Sequence, residues 1–234
     1  MTRTALYIDI EGFASIYPND EVRALQSLGR LMNGIIQIGA KVFPDSPNRL
    51  FAHQTGDGFV VVSEFHDRSS QFLLGIPIVL MRYLLTSGGI AKTGVADGKF
   101  GDIQGCYPDI PIEDGNLVRL GGGLLRTFSC MGTALINANK MSHRERGALL
   151  LLDSSMADCL PEATIISKKE KDYVVIDWIH TDVPEIPEIC EKAGLSCPST
   201  QINEEALRSY VAKASTNLPD EWKINTISLN GCDR

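Results

Sequence analysis

The sequence predicts an α+β fold built on one mixed sheet with helices packed on it, and three observations carry that expectation. Strand-like apolar runs and helix-spaced stripes follow one another in the order β-α-β-β-α-β across residues 5–96, with further strands after them. Phe59-Val60-Val61-Val62 is apolar at consecutive positions, as in a central strand covered on both faces. A chain of 234 residues, 44% hydrophobic, has enough apolar surface for one substantial core, so a single domain with a tail is expected.

Taken in order, Ala5 to Ile8 reads as a buried strand that gives way at Asp9 to a turn containing Gly12. Pro18-Asn19-Asp20-Glu21 marks a helix start with acidic residues where the macrodipole favours them. That helix runs to about Val42, its apolar stripe formed by Val22, Leu25, Leu28, Leu31, Met32, Ile35 and Ile36. After a loop with Pro44 and Pro47, strands 49–54 and 59–65 form a hairpin whose tip is Gly56-Asp57-Gly58. A second helix spans 69–86, kinked at Pro77, and strand 89–96 follows. The passage from Asp97 to Gly123 is glycine-rich and long enough to be functional. A helix over 131–142, strand 148–152, a helical turn 154–160 and strands 163–168 and 172–179 complete a domain over residues 1–180, with its helices on one face of the sheet. Residues 181–234 carry Pro184, Pro187, Pro198 and Pro219 around one helix, Asn203 to Ala214, and read as a tail with a flexible stretch over 182–203.

Composition narrows the function classes. A net charge of −7 and an isoelectric point near 5.1 argue against a nucleic-acid surface. Mean hydropathy is −0.01, no apolar run reaches the roughly 18 residues of a membrane span, and no signal-peptide pattern opens the chain. A cytoplasmic protein without membrane or nucleic-acid partners is therefore expected. The six cysteines contain no CxxC pair, so neither a zinc site nor a disulfide framework is indicated.

The chemistry concentrates in two acidic stretches, Tyr7-Ile8-Asp9-Ile10-Glu11-Gly12-Phe13 and Gln54-Thr55-Gly56-Asp57-Gly58-Phe59. Each places a carboxylate at a strand end. Two such carboxylates side by side repel one another, and hard divalent cations relieve that repulsion. The pattern points to a magnesium or manganese site for a polyphosphate.

These motifs resemble the metal-binding motifs of class III nucleotide cyclases. The likeness continues in Gly88-Gly89-Ile90-Ala91-Lys92-Thr93-Gly94, in Gly132 to Met141 and in Ser167-Lys168-Lys169 before Tyr173, and covers residues 3 to 178 in order and spacing. The resemblance implies a ferredoxin-like core working as a homodimer with shared active sites. It implies that the 3′-hydroxyl of a nucleoside triphosphate attacks its own α-phosphorus and expels pyrophosphate, with two Mg2+ or Mn2+ ions per site. It assigns the metal ligands to Asp9, Ile10 and Asp57, and the triphosphate to Gly12, Phe13 and Lys169, with Lys168 the neighbouring candidate.

Two departures from the family pattern are visible. Where the catalytic helix usually carries an Asn and, four residues later, an Arg, this sequence has Ile136 and Lys140. Lys140 can supply charge and Ile136 can donate nothing, which leaves Arg126 and Arg119 as compensating candidates. The base-reading positions hold His53 and Ser129, which match neither the adenine nor the guanine pairing, and Phe51 lies two residues from His53 on the same strand face.

A lone cyclase domain of this kind resembles the Pycsar uridylate and cytidylate cyclases of anti-phage defence. That likeness implies a pyrimidine substrate, UTP favoured slightly over CTP, and cUMP or cCMP acting on a separate effector protein. The alternatives are an adenylate or guanylate cyclase with an unusual pocket, and a catalytically weak module that binds a nucleotide and signals.

Overall fold

The computed structural model describes residues 1–44, 50–101, 130–213 and 218–233. Arg119, Arg126, Ser129 and most of the glycine-rich passage lie outside the described residues. Strand β1 (Thr2–Ile10) leads through a single turn, α1 (Phe13–Ile16), into α2 (Glu21–Lys41), then β2 (Leu50–Thr55), β3 (Gly58–Ser63), α3 (Ile76–Thr86) and β4 (Ala91–Lys99). Helix α4 (Thr133–Ser142), β5 (Leu150–Asp153), β6 (Ile166–Lys169) and β7 (Tyr173–Ile176) follow, and α5 (Glu185–Ala193), α6 (Thr200–Lys213) and α7 (Asp220–Ser228) close the chain.

Among the described residues, seven strands form one sheet in the order β2-β3-β1-β4-β5-β7-β6. β4 and β5 run parallel and the other neighbours antiparallel, so the sheet is mixed and the fold is α+β. Its first four strands have the ferredoxin-like order, which brings the ends of β1 and β3 side by side.

The expectation of helices on one face is corrected. Leu6 and Ile8 pack into the large core with α2 and α3, where Leu31, Ile38, Leu80 and Trp178 are fully or almost fully buried. The alternate residues Ala5 and Tyr7 turn to the opposite face and pack with Val60, Val62, Ala96, Ala134 and Ala138, which places α4 there. Glycine permits that second layer. A Cβ on Gly94 would lie 2.4 Å from the Ala138 carbonyl oxygen, and one on Gly98 would lie 2.2 Å from the Ala134 nitrogen. Helix and strand therefore meet backbone on backbone.

Asp20 caps α2, its carboxylate accepting from the Arg23 amide at 3.0 Å. The helix stripe is split: Leu31 and Ile35 are buried, while Val22, Leu25, Met32 and Ile36 are exposed. The expected kink at Pro77 takes the form of a π-helical turn, Gln71–Gly75, after which Pro77 sits in the first turn of α3, where its missing N–H costs nothing.

Among the described residues, those beyond 181 hold three helices rather than one, and they join the main core through Val183, Ile186, Ile189, Leu207, Val211 and Trp222. Short-range polarity and prolines hid this, because each helix is stable only through what it covers. Buried Arg82 on α3 donates to the carbonyls of Trp178, Ile179 and Thr181 at 2.7 to 2.9 Å and anchors the chain where it leaves the sheet. His180 bridges Asp177 (2.8 Å) and Glu204 on α6 (2.6 Å).

The contact between α4 and β4 leaves no room for a side chain. Gly98→Val is expected to destabilise the protein by about 3 kcal/mol or more in urea unfolding; stability within about 0.5 kcal/mol of the parent would show that the two backbones are free to separate.

Candidate active site

The register of the sheet builds the site. Asp9 pairs across β1 and β3 with Gly58, and across β1 and β4 with Lys92. The hairpin closes in the two residues Gly56 and Asp57, with Gly56 at φ +67°, and this puts Asp57 beside the end of β1. A Cβ on residue 58 would lie 2.8 Å from Asp9 Oδ1 and 2.8 Å from the Tyr7 hydroxyl, so glycine there keeps open the space over the carboxylate.

Asp9 is an ionisable group held under strain. Burial, the Asp57 carboxylate and the Glu11 carboxylate raise its pKa from 3.8 to about 6, against smaller opposing effects of His143 and the Tyr7 hydroxyl. Its Oδ1 is buried without a hydrogen-bond partner. A buried carboxylate with one unpartnered oxygen, in the field of a second carboxylate, suits a hard divalent cation, and the donors here are oxygens. No three or more acidic, histidine or cysteine side chains converge on one metal point among the described residues. A cation would therefore draw on Asp9, Asp57, the main chain at Ile10, and oxygens of a bound phosphate chain, which is the usual economy of magnesium sites.

Four residues around Asp9 carry no role in the motif reading. Lys92 is 8% exposed, its pKa lowered by burial against the pull of Glu11, Asp9 and Glu145, and its ammonium donates to the Glu145 carbonyl. Glu11 is pushed up by burial, partly offset by the Lys92 charge and by a hydrogen bond from the Trp222 indole of α7. Asn139 of α4 and Thr55 of β2 reach the Tyr7 hydroxyl. A lysine in the middle of an apolar strand was a legible signal for the first, since a buried charge needs partners. Nothing local announces the contact with Trp222, more than two hundred residues downstream.

The remaining predicted residues separate by face. Ile10 is buried in the main core, and Gly12 adopts φ +76° ahead of Phe13, whose ring stacks on Tyr17 at 5.5 Å. His53 pairs with Val60 and Phe51 with Val62, so both positions lie on the Asp9 and Tyr7 face of the sheet, one strand beyond β3. On α4, Ile136 is 52% exposed and Lys140 is exposed one turn on, opposite the sheet-facing Ala138. Both side chains open to solvent, whereas Asn137 and Asn139 occupy the flanks, Asn137 donating to the Asp97 carbonyl at 2.8 Å.

Register separates the two candidate lysines. Lys169 pairs with Val174, a residue of the α2–α3 core, and so faces the wrong side. Lys168 pairs with Val175, which packs with Met141 of α4, and its ammonium bonds Glu145. That bond raises the Lys168 pKa. Glu145 feels burial pushing its pKa up, but the bonds from Lys168 and Tyr173 outweigh this and hold it below the usual carboxylate value. A bulge between Ile166 and Lys168 shifts the pairing by one residue, which pattern reading does not detect.

For the metal-free protein, Asp9 binds a proton more tightly folded than unfolded. Its contribution to stability is therefore most favourable below about pH 4, declines as pH rises towards its folded pKa of about 6, and stays lost above it. In chelator, Asp9→Asn should remove this decline and gain on the order of 2 kcal/mol at pH 7; parallel stability–pH curves for parent and variant would contradict it.

No family model matches the sequence, and no curated protein does. Solved structures do match. The monomeric guanylyl cyclase domain of the RhoGC fusion protein from the aquatic fungus Blastocladiella emersonii aligns with TM-score 0.52 at 11% identity, over 75% of this chain and 94% of that one. The guanylyl cyclase Cya2 gives TM-score 0.47 at 13% identity over 75% and 90%, and the adenylyl cyclase CyaB from P. aeruginosa 0.46 at 12% over 75% and 91%. At these identities the likeness speaks for the fold alone: the chain has the fold of a class III nucleotide cyclase domain.

Proposed function

We propose that this protein is a metal-dependent nucleotide cyclase that converts a pyrimidine nucleoside triphosphate, UTP ahead of CTP, into its 3′,5′-cyclic monophosphate and pyrophosphate. The observation that carries the reading is the Asp9–Asp57 pair, with Asp9 Oδ1 buried, unpartnered and left uncrowded by the missing side chain of Gly58. Asp9, Asp57 and the Ile10 carbonyl would hold Mg2+ or Mn2+, which when bound supplies charge that favours ionisation of the 3′-hydroxyl and departure of pyrophosphate.

The chain's own groups supply the rest. Gly12 and Phe13 offer main-chain amides to the phosphates, and Lys168, held on the site face by Glu145, meets the end of the triphosphate. Asn139 orients the Tyr7 hydroxyl beside the metal ligands. Lys140 and Ile136 face outwards, so Lys140 serves the Asp9 site of a second copy, and the working unit is a homodimer with shared sites. His53, with Phe51 and Ser129, reads the base: its ring both donates and accepts, which suits the N3–O4 edge of uracil, and the purine-reading pairs are missing. A cyclic pyrimidine nucleotide made by this domain fits a second messenger for a separate effector in anti-phage defence. A second reading, a module that binds nucleotide without turnover, rests on Ile136, which has no donor where the family places an Asn.

Incubation with each of the four ribonucleoside triphosphates and Mn2+ is expected to yield cUMP, or cCMP, as the main product; a cyclic purine nucleotide would overturn the base assignment, and binding without product would favour the module. Asp57→Ala should abolish turnover while leaving the melting temperature of the metal-free protein unchanged or raised, because it removes a repulsive neighbour of Asp9. Retained activity with a lowered melting temperature would make Asp57 structural.

Mixing Asp9→Ala and Lys140→Ala proteins should restore part of the activity that each lacks, since one heterodimer site keeps both residues. An inactive mixture of subunits demonstrated to exchange would count against sites shared between copies.

A further inference from the structure

Helix α2 exposes a second apolar face that the core does not use. Val22, Leu25, Met32 and Ile36 are 66%, 48%, 43% and 54% exposed. With Gly29 and Gly39 they recur in alternating steps of three and four residues, the spacing of a helix-pairing seam. A Cβ on either glycine would meet nothing within 4 Å, so both face open space. Beside Gly29 runs a surface groove of about 540 Å³ lined by Gln26, Arg30, Asn33 and Ser87.

The seam is complementary to itself when reversed. Set antiparallel about a two-fold axis between Gly29 and Met32, it places Val22 against Gly39, Leu25 against Ile36, and Met32 against Gly29 of the other copy. Large meets small at both glycines, and each Met32 side chain has the groove beside the partner copy's glycine to enter. The charges agree: the acidic start of one helix, Asp20 and Glu21, comes level with Lys41 at the end of the other, and the two macrodipoles oppose. A parallel pairing stacks glycine on glycine and like charge on like.

We propose that α2 is an isologous docking surface for a second copy of this chain, paired antiparallel through Val22, Leu25, Gly29, Met32, Ile36 and Gly39. The seam lies on the sheet face opposite α4, so it leaves the Asp9 face free and is independent of the proposed activity. A chain that also pairs through its Asp9 face assembles beyond the dimer. A single seam about 30 Å long buries area at the lower end of specific interfaces, so the association is reversible and concentration-dependent.

The test is cross-linking of the full chain. An equimolar mixture of V22C and G39C proteins should form a disulfide-linked dimer on mild oxidation well above the wild-type background, and each variant alone should not. L25E/I36E, both changes at exposed positions, should halve the largest mass seen in sedimentation while leaving the circular dichroism spectrum unchanged. V22C linking to itself as readily as to G39C would overturn the antiparallel seam. Equal masses for wild type and L25E/I36E across about 1–100 µM, where weak specific interfaces form, would overturn self-association. Unchanged mass with phosphatidylcholine vesicle binding that L25E/I36E abolishes would assign the face to lipid instead.

Discussion

The backbone-on-backbone contact between α4 and β4 is the constraint on which the site depends. Gly94 and Gly98 lie on one face of β4 and bring the helix axis closer than any side chain would allow. That depth sets the rotation of α4. Ala134, Ala138 and Met141 face the sheet, Asn139 turns to Tyr7, Asn137 turns to Asp97, and Ile136 and Lys140 are left pointing outwards. The same contact carries the end of the helix and residue Glu145 to where the Lys92 and Lys168 ammonium groups converge on it. A single larger residue on β4 would lift all of these at once.

The electrostatics around Asp9 follow from burial more than from any one pair. Three carboxylates, Asp9, Glu11 and Asp57, gather at the ends of β1 and the hairpin, and desolvation is the first cause of the raised pKa of both Asp9 and Glu11. Lys92 beneath them supplies one buried positive charge, and the Trp222 indole supplies one donor to Glu11. The balance leaves Asp9 Oδ1 without a partner, the atom at which an added cation would gain most. Residues after 181 thus reach the candidate site: α7 delivers Trp222 to the loop that follows β1, and Glu204 of α6 is tied through His180 to Asp177 at the exit of β7.

Helix α2 shows how one element serves two environments. Its inner face holds Leu31, Ile35 and Ile38 against the sheet, and its outer face repeats apolar residues that are 43–66% exposed and stand outside the buried core. A fully one-sided helix would carry charge on the outer positions. The departure is what marks the outer face as a contact surface.

Much of the fold was legible in order. The acidic turn at Asp9, the Gly56-Asp57-Gly58 tip, the helix start at Asp20 and the run of strands are local signals, because turn chemistry, capping and apolar periodicity act over a few residues. So are the charge types at Asp9 and Asp57, and these alone suggested a cation and a polyphosphate, the nucleotide coming from the family resemblance. What lay beyond the sequence needs contacts between distant residues. Which side of the sheet receives α4 depends on glycines on β4 meeting a helix some forty residues away. Lys168 rather than Lys169 faces the site because a bulge shifts the pairing by one residue. Glu11 meets Trp222 because three tail helices, individually unremarkable, are held by the core they cover. By itself the sequence determined which groups are present and the local shape of each turn; packing decided which of them meet, because burial and register are properties of pairs that the chain brings together only when folded.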